Sequence, residues 1–213
     1  MKIIIFGAGG QAKETIDLIE ENLKATIVGI IDKKTLDSKI FGHRVLGTDD
    51  DLDSLIKKYK ATHFTVAIGD VKIRSRLYNI AKAKLQPLSI ISKYAHISKY
   101  AKIGEHATIY PGVVISADVT IGNNALINSN VSIAHEAKIG RHVDINPGAN
   151  IAGKVVIDDF CFVGIGASIR ENLHIAKNTT IGGGAMVTED TKPNKTYVGV
   201  PARIMSLSTN SDK

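Results

Sequence analysis

The stretch Ala125-Leu126-Ile127-Asn128-Ser129-Asn130-Val131-Ser132-Ile133-Ala134-His135-Glu136-Ala137-Lys138-Ile139 places an aliphatic residue at every sixth position: Ile127, Ile133, Ile139. Followed outward, the same phase runs unbroken from Ile91 through Ile97, Ile103, Ile109, Ile115 and Ile121. It continues past Ile145, Ile151, Ile157, Val163, Ile169, Ile175 and Ile181 to Val187. The residue two before each is small or modest in size, as at Ala95, Ala107, Val113, Val119, Cys161 and Ala185. A helix repeats every 3.6 residues and a flat strand every two, so neither produces this period. Short strands joined by regular bends do, if each hexad forms one side of a coil and its aliphatic residue points into a narrow core. This is the pattern of a hexapeptide solenoid. Three hexads per triangular coil make a coil of 18 residues, and successive coils lie about 4.8 Å apart. Residues 18 apart then stand in columns: Asn128 under Asn146, and His135 under Gly153.

Composition agrees with such a core. Of 213 residues, 44% are hydrophobic but only 5% aromatic, with no Trp, which suits stacked Ile, Val and Ala. The net charge of +6 favours anionic small molecules or an acidic surface. No run of like charges marks a nucleic-acid patch, and no basic-aromatic interleaving of the kind single strands require is found. The apolar run Ile3 to Phe6 is too short for a signal segment, and nothing approaches a membrane span. One Cys excludes an intrachain disulfide, and a cytoplasmic protein is the expectation. Cys161 occupies the small slot two before Val163 and reads as core filler rather than nucleophile.

Residues 1–86 follow a different rhythm. Lys2–Phe6 reads as a buried strand ending at Gly7-Ala8-Gly9-Gly10, and Ala12, Ile16, Ile19 and Leu23 mark one helical face. Thr26–Ile31 is a second strand closed by Asp32. Leu52, Leu55, Ile56 and Tyr59 form a helical stripe after the acidic start Asp49-Asp50-Asp51, which suits a helix N-terminus. Phe64–Ile68 is a third strand, followed by a helix carrying Ile73, Leu77 and Ile80. The alternation predicts a parallel sheet with packed helices, a Rossmann-like α/β domain. Pro87 opens the hinge into the solenoid over 87–205, whose end Pro193–Met205 should cover. Residues 206–213 read as a flexible tail.

Two places carry chemistry. Gly7-Ala8-Gly9-Gly10-Gln11-Ala12 is a G-x-G-x-x-A turn between strand and helix, with Asp32 twenty residues after Ala12. Such glycines let a phosphate or ribose approach backbone N–H groups at a helix start. About 85 residues offer little more than one mononucleotide-binding half, so a nucleotide-activated sugar suits this loop better than NAD. A plain turn is the bland alternative.

His135, two residues after an inward Ile, is expected at a bend and open to solvent. An imidazole there suits a general base for an amine or hydroxyl. Glu136 beside it would raise its basicity or fix its tautomer, and Gly153 above it offers an N–H to an oxyanion. A surface His on a turn is the alternative. A zinc site needs three protein ligands. His106 and His142 share a column, but the third position, five residues beyond His142, is Pro147, so no metal is expected.

These pieces together resemble the PglD/NeuD family of bacterial sugar acetyltransferases over nearly the whole chain. The resemblance rests on the Gly7–Lys13 opening, Val66-Ala67-Ile68-Gly69, the hexads, Ile127-Asn128, His135-Glu136, Ala152-Gly153, Gly182-Gly183-Gly184-Ala185 and Gly199-Val200-Pro201-Ala202-Arg203. It implies an all-β left-handed parallel β-helix after the α/β domain, a homotrimer, and acetyl-CoA in the groove between neighbouring solenoids. It implies a nucleotide-linked amino sugar held by Gly9, Gly10, Gln11, Asp32 and Gly69, with Asn128 near the acceptor. His135 matches the general base, Glu136 its acidic partner, and Gly153 the glycine whose amide meets the thioester carbonyl. Gly182, Gly183 and Gly184 match cofactor-side positions. Family members usually carry a second His nine residues after the base, in contact with acetyl-CoA. Here that residue is Asp144. The implied reaction is N-acetylation of a 4-amino-6-deoxy sugar for glycan biosynthesis. O-acetylation of a sugar such as sialic acid, and a non-catalytic nucleotide-sugar-binding module, are the alternatives.

Overall fold

The computed structural model describes residues 1–33, 36 and 38–205, so the expected tail over 206–213 lies outside the described residues. The first region is a six-stranded sheet. Its strands are β1 (Lys2–Phe6), β2 (Thr26–Ile31), β3 (Lys39–Ile40), β4 (His43–Gly47), β5 (His63–Val66) and β6 (Gln86–Pro87), in the order β3-β4-β2-β1-β5-β6. All pairings are parallel except the β3–β4 hairpin, which the sequence reading did not contain. Helices α1 (Gly10–Asn22), α2 (Leu52–Tyr59) and α3 (Val71–Lys82) pack on it. Ahead of α2, Thr48 and Asp51 cap each other reciprocally around a single 3-10 turn, which satisfies N–H groups that a bare helix start leaves open.

From Ile90 the chain becomes a left-handed parallel β-helix of triangular section. Each side is a column of two-residue strands paired in parallel at a register of 18 residues, as in Thr108↔Leu126↔Asp144↔Phe162↔Thr180. From Ile109 upward the hexad residues are buried and form one core with the small slots, Cys161 among them. Burial raises the Cys161 thiol to about 11, which removes it from thiolate chemistry at neutral pH. The first coil is looser: Ile91 is 36% exposed, and Ile97 and Ile103 are only partly covered.

A second sixfold signal sets the corners. From Ile103 to Ile181, the residue three after each hexad aliphatic adopts positive φ, at His106, Gly112, Asp118, Asn124, Asn130, Glu136, His142, Gly148, Lys154, Phe160, Gly166, Asn172, Asn178 and Gly184. The left-handed region bends the chain sharply, and Gly and Asn enter it at least cost. The top is closed by an antiparallel hairpin of Thr196–Val198 and Arg203–Ile204, with Tyr197 standing in the core column.

The α/β domain packs against one outer face of the prism. Ile3, Ile5, Ala12, Ile16 and Ala67 share a core cluster with Ile90, Tyr110 and Leu126, residues that point outward from the solenoid. A polar ladder follows the same seam. His106 Nε2 accepts the Val66 N–H at 3.1 Å, its Nδ1 bonds Asn124 at 2.9 Å, and Asn124 bonds His142 Nδ1 at 2.8 Å. The His106–His142 column is thus real, and its nitrogens serve the domain seam. No group of three or more metal-ligating side chains occurs among the described residues.

This seam titrates in two opposed ways. Burial pushes His106 down to about 4, since its acceptor role requires the neutral ring. A depressed His favours the folded state at high pH, and that stabilisation, about 3 kcal/mol, is lost as pH falls from 6.5 toward 4. Burial pushes Asp144 up to about 6 against the opposing pull of Arg74. A raised carboxyl does the reverse, so acidification from 6 toward 3.8 returns roughly 3 kcal/mol. In the native protein the two slopes offset each other. Asp144→Asn is expected to exaggerate acid destabilisation between pH 6.5 and 4 relative to wild type, and His106→Gln to reduce it. Urea midpoints across that range read both; equal slopes in all three proteins would contradict it.

Candidate active site

Two structural neighbourhoods gather the residues singled out above. The first is a cavity of about 550 Å³ at the carboxyl ends of β1, β2 and β5. Gly7 through Gln11, Asp32, Lys33, Asp49, Ile68, Gly69 and Arg76 line it. Gly9, Gly10 and Gly69 have nothing within 4 Å of where a Cβ would sit, so bare backbone faces the space. Gly7 is needed for a different reason: at φ +104 a Cβ would stand 2.7 Å from the Ala67 carbonyl. The N-terminus of α1 has no side-chain cap and no acid in its first turn, leaving N–H groups for an anionic or hydroxylated ligand. Asp32 accepts the Ala8 N–H at 2.9 Å and so fixes the loop. Gln11 is tied to the solenoid, its amide donating to Tyr110 Oη at 2.5 Å. Asp49 sits between Lys33 at 3.1 Å and Arg76 at 3.0 Å. Burial would raise its carboxyl, but the hydrogen bonds from Arg76 and Lys33 prevail and hold it low.

The second neighbourhood is a corner of the prism. Ile133 turns inward, and the chain bends through Ala134-His135-Glu136, with Glu136 at φ 62. That left-handed φ is the corner conformation shared by the other turns of the prism, and it sets the His135 and Glu136 side chains on the outside of the bend. The His135 side chain is 62% exposed, and its Nδ1 lies 3.1 Å from Glu136 Oε1. With Nδ1–H donating to the carboxylate, Nε2 is the free acceptor nitrogen. One coil up, the ring covers Gly153: a Cβ there would meet His135 Cε1 at 2.7 Å and Nε2 at 2.8 Å. Among the described residues, no backbone hydrogen bond of the solenoid uses the Gly153 N–H. Lys154, which the sequence reading did not single out, places its Nζ 3.9 Å from Glu136 Oε2.

The remaining expectations land elsewhere. Asn128 is buried, donating to Asp144 Oδ1 and the Ile145 carbonyl, both at 3.1 Å. Asn146 repeats the second bond to Val163 at 3.0 Å, so both act as rungs between coils. Asp144, expected at the acyl-donor cleft, is instead 2% exposed beneath α3. Gly183 and Gly184 are exposed beside Ile165, on a different edge of the prism from His135. One chain therefore does not bring these glycines to its own imidazole. No helix among the described residues is long and apolar enough to cross a membrane.

Comparison with known proteins agrees with both regions. Residues 118–153 match the bacterial transferase hexapeptide model of six repeats. Residues 2–81 match the PglD N-terminal domain, so the chain joins a PglD-type N-terminal domain to hexapeptide repeats. Among solved structures it is similar to PerB from Caulobacter crescentus in complex with CoA and GDP-perosamine. Identity is 28%, over 97% of this chain and 98% of that one, with a TM-score of 0.89. A variant of perosamine N-acetyltransferase from the same organism aligns at 26% identity, 97% of each chain and TM-score 0.87. The acetyltransferase domain of PglB from Neisseria gonorrhoeae FA1090, in complex with acetyl coenzyme A, aligns at 27% identity. It covers 96% of this chain and 98% of that one, with TM-score 0.86. No curated protein matches the sequence.

Proposed function

We propose that this chain transfers an acetyl group from acetyl-CoA to the amino group of a nucleotide-linked 4-amino-6-deoxy sugar, as a homotrimer. The observation that carries the reading is the corner itself: an exposed imidazole oriented by Glu136 at 3.1 Å, with the side-chain-free Gly153 against its ring one coil up. The similarity to structures bound to CoA, acetyl-CoA and GDP-perosamine supports the two substrates. The amine lone pair attacks the thioester carbonyl carbon, forming the C–N bond, while His135 Nε2 takes the amine proton. Gly153 N–H meets the developing oxyanion. The tetrahedral intermediate collapses with C–S cleavage, and the coenzyme A thiolate recovers the proton from His135. No covalent enzyme intermediate is needed, because a neutral amine is already a competent nucleophile. Glu136 holds the tautomer and steadies the imidazolium. The cavity beside Gly9, Gly10 and Gly69 binds the nucleotide end of the acceptor. Gly182–Gly184 of one copy lie along the acyl-donor groove facing another copy's His135.

The test is acetyl-CoA-dependent thiol release with UDP-, dTDP- and GDP-linked 4-amino sugars. Turnover with at least one is expected. Release only with hydroxyl acceptors of the sialic-acid type would transfer the reading to O-acetylation. No release with any acceptor would leave a nucleotide-sugar-binding module.

A further inference from the structure

Helix α3 turns an arginine, rather than its neighbouring isoleucine, toward the solenoid. Arg74 is 2% exposed while Ile73 is 44% exposed. The Arg74 Nη1 donates to the carbonyls of Ile68 at 3.2 Å and Gly69 at 2.9 Å, in the turn that walls the glycine-rich cavity. Its Nη2 donates to the Val143 carbonyl at 3.3 Å, in the solenoid coil. The Asp144 carboxylate lies 3.7 Å from Nη1, too far for a hydrogen bond, and Nε has no hydrogen-bond partner among the described residues. Taking a guanidinium out of water is costly unless its hydrogen bonds are well made. A strut of Leu or Met would serve mere packing at lower cost. What a planar fork adds is simultaneous bonding to two backbones at fixed separation.

We propose that Arg74 is a positioning residue for the acceptor: its guanidinium clips the 68–69 wall of the nucleotide cavity to the solenoid coil at Val143. The proposal rests on the nucleotide-sugar reading above. The clip sets where a bound nucleotide stands relative to the prism, before any ligand arrives. Acetyl-CoA, expected along the solenoid edges, would not feel it.

Lysine keeps the charge and most of the stem but presents one nitrogen, which does not span both backbones. Calorimetric titration of wild type and Arg74→Lys with UDP, dTDP and GDP, alongside acetyl-CoA kinetics, tests the idea. Nucleotide Kd and acceptor KM are expected to rise about ten-fold, the loss of one or two charged hydrogen bonds, with acetyl-CoA KM unchanged. Unaltered nucleotide binding, or equal rises in both KM values, overturns the clip and leaves a structural strut. Wild type binding none of the three nucleotides overturns the underlying ligand reading as well. Backbone order parameters of the ligand-free wild type give a check independent of the variant's folding. Rigid values at residues 68–69, like those of the neighbouring strands, are expected, and loop-like mobility there defeats the proposal.

Discussion

Replacing His135 with alanine is expected to lower turnover on the amino-sugar acceptor by about 10²–10⁴-fold, the range for removing a positioned general base. The fold should survive, because the ring is mostly in solvent and its hydrogen bond goes to the adjacent Glu136. Thermal midpoint and acetyl-CoA KM are therefore expected to stay near wild type while kcat falls. An O-acetyltransferase should sit at the severe end of the range, since a hydroxyl depends on deprotonation far more than an amine does. A variant retaining near-full rate, measured by thiol release at saturating acceptor, would remove His135 from the chemistry.

What the chain discloses in advance follows from how local each determinant is. The core of the prism is written in period six, so Ile109 to Val187 could be read off directly, and so could the 18-residue columns that set His135 beneath Gly153. Cys161 was legible for the same reason, as an occupant of a small slot. The corners left a signal that the period-six reading did not use, a recurrence of Gly and Asn three residues after the aliphatic position, blurred by His106, Glu136, Lys154 and Phe160. The seam between the two regions was not. Tyr110 and Leu126 occupy outward positions of their hexads, which an isolated solenoid would expose, and are buried only because the α/β domain covers them. Arg74 fails the hydropathy reading of α3 by the same logic: its socket is made of carbonyls from Ile68, Gly69 and Val143, the last 69 residues away. Asp144 was expected at the acyl-donor cleft through the family resemblance alone, which says nothing of how this chain's own α3 covers that prism face. The β3–β4 hairpin escaped because two- and five-residue strands carry too little alternation to register.

Gly153→Ala separates geometry from stability more sharply than any core change. The position needs no left-handed φ, so alanine is conformationally admissible. Its methyl would fall 2.7–2.8 Å from Cε1 and Nε2 of His135, well inside contact distance, and within this range the obstacle is a side chain rather than backbone. An exposed imidazole can swing away at little cost. The protein should thus fold with an unchanged melting temperature, yet its imidazole would leave the place where Glu136 and the corner hold it. Displacements of about 1 Å in a reacting group cost on the order of 10²-fold in rate, and crowding of the Gly153 N–H adds the loss of an oxyanion donor, itself about 10²–10³-fold. Turnover should therefore drop by at least about 10²-fold with thermal stability intact. In the double variant with His135→Ala, the glycine substitution should cost much less, because the clash it acts through is gone. Full additivity of the two losses would mean that Gly153 works independently of the imidazole. Wild-type turnover in Gly153→Ala alone would dismiss the pairing of these two residues across adjacent coils as the centre of the reaction.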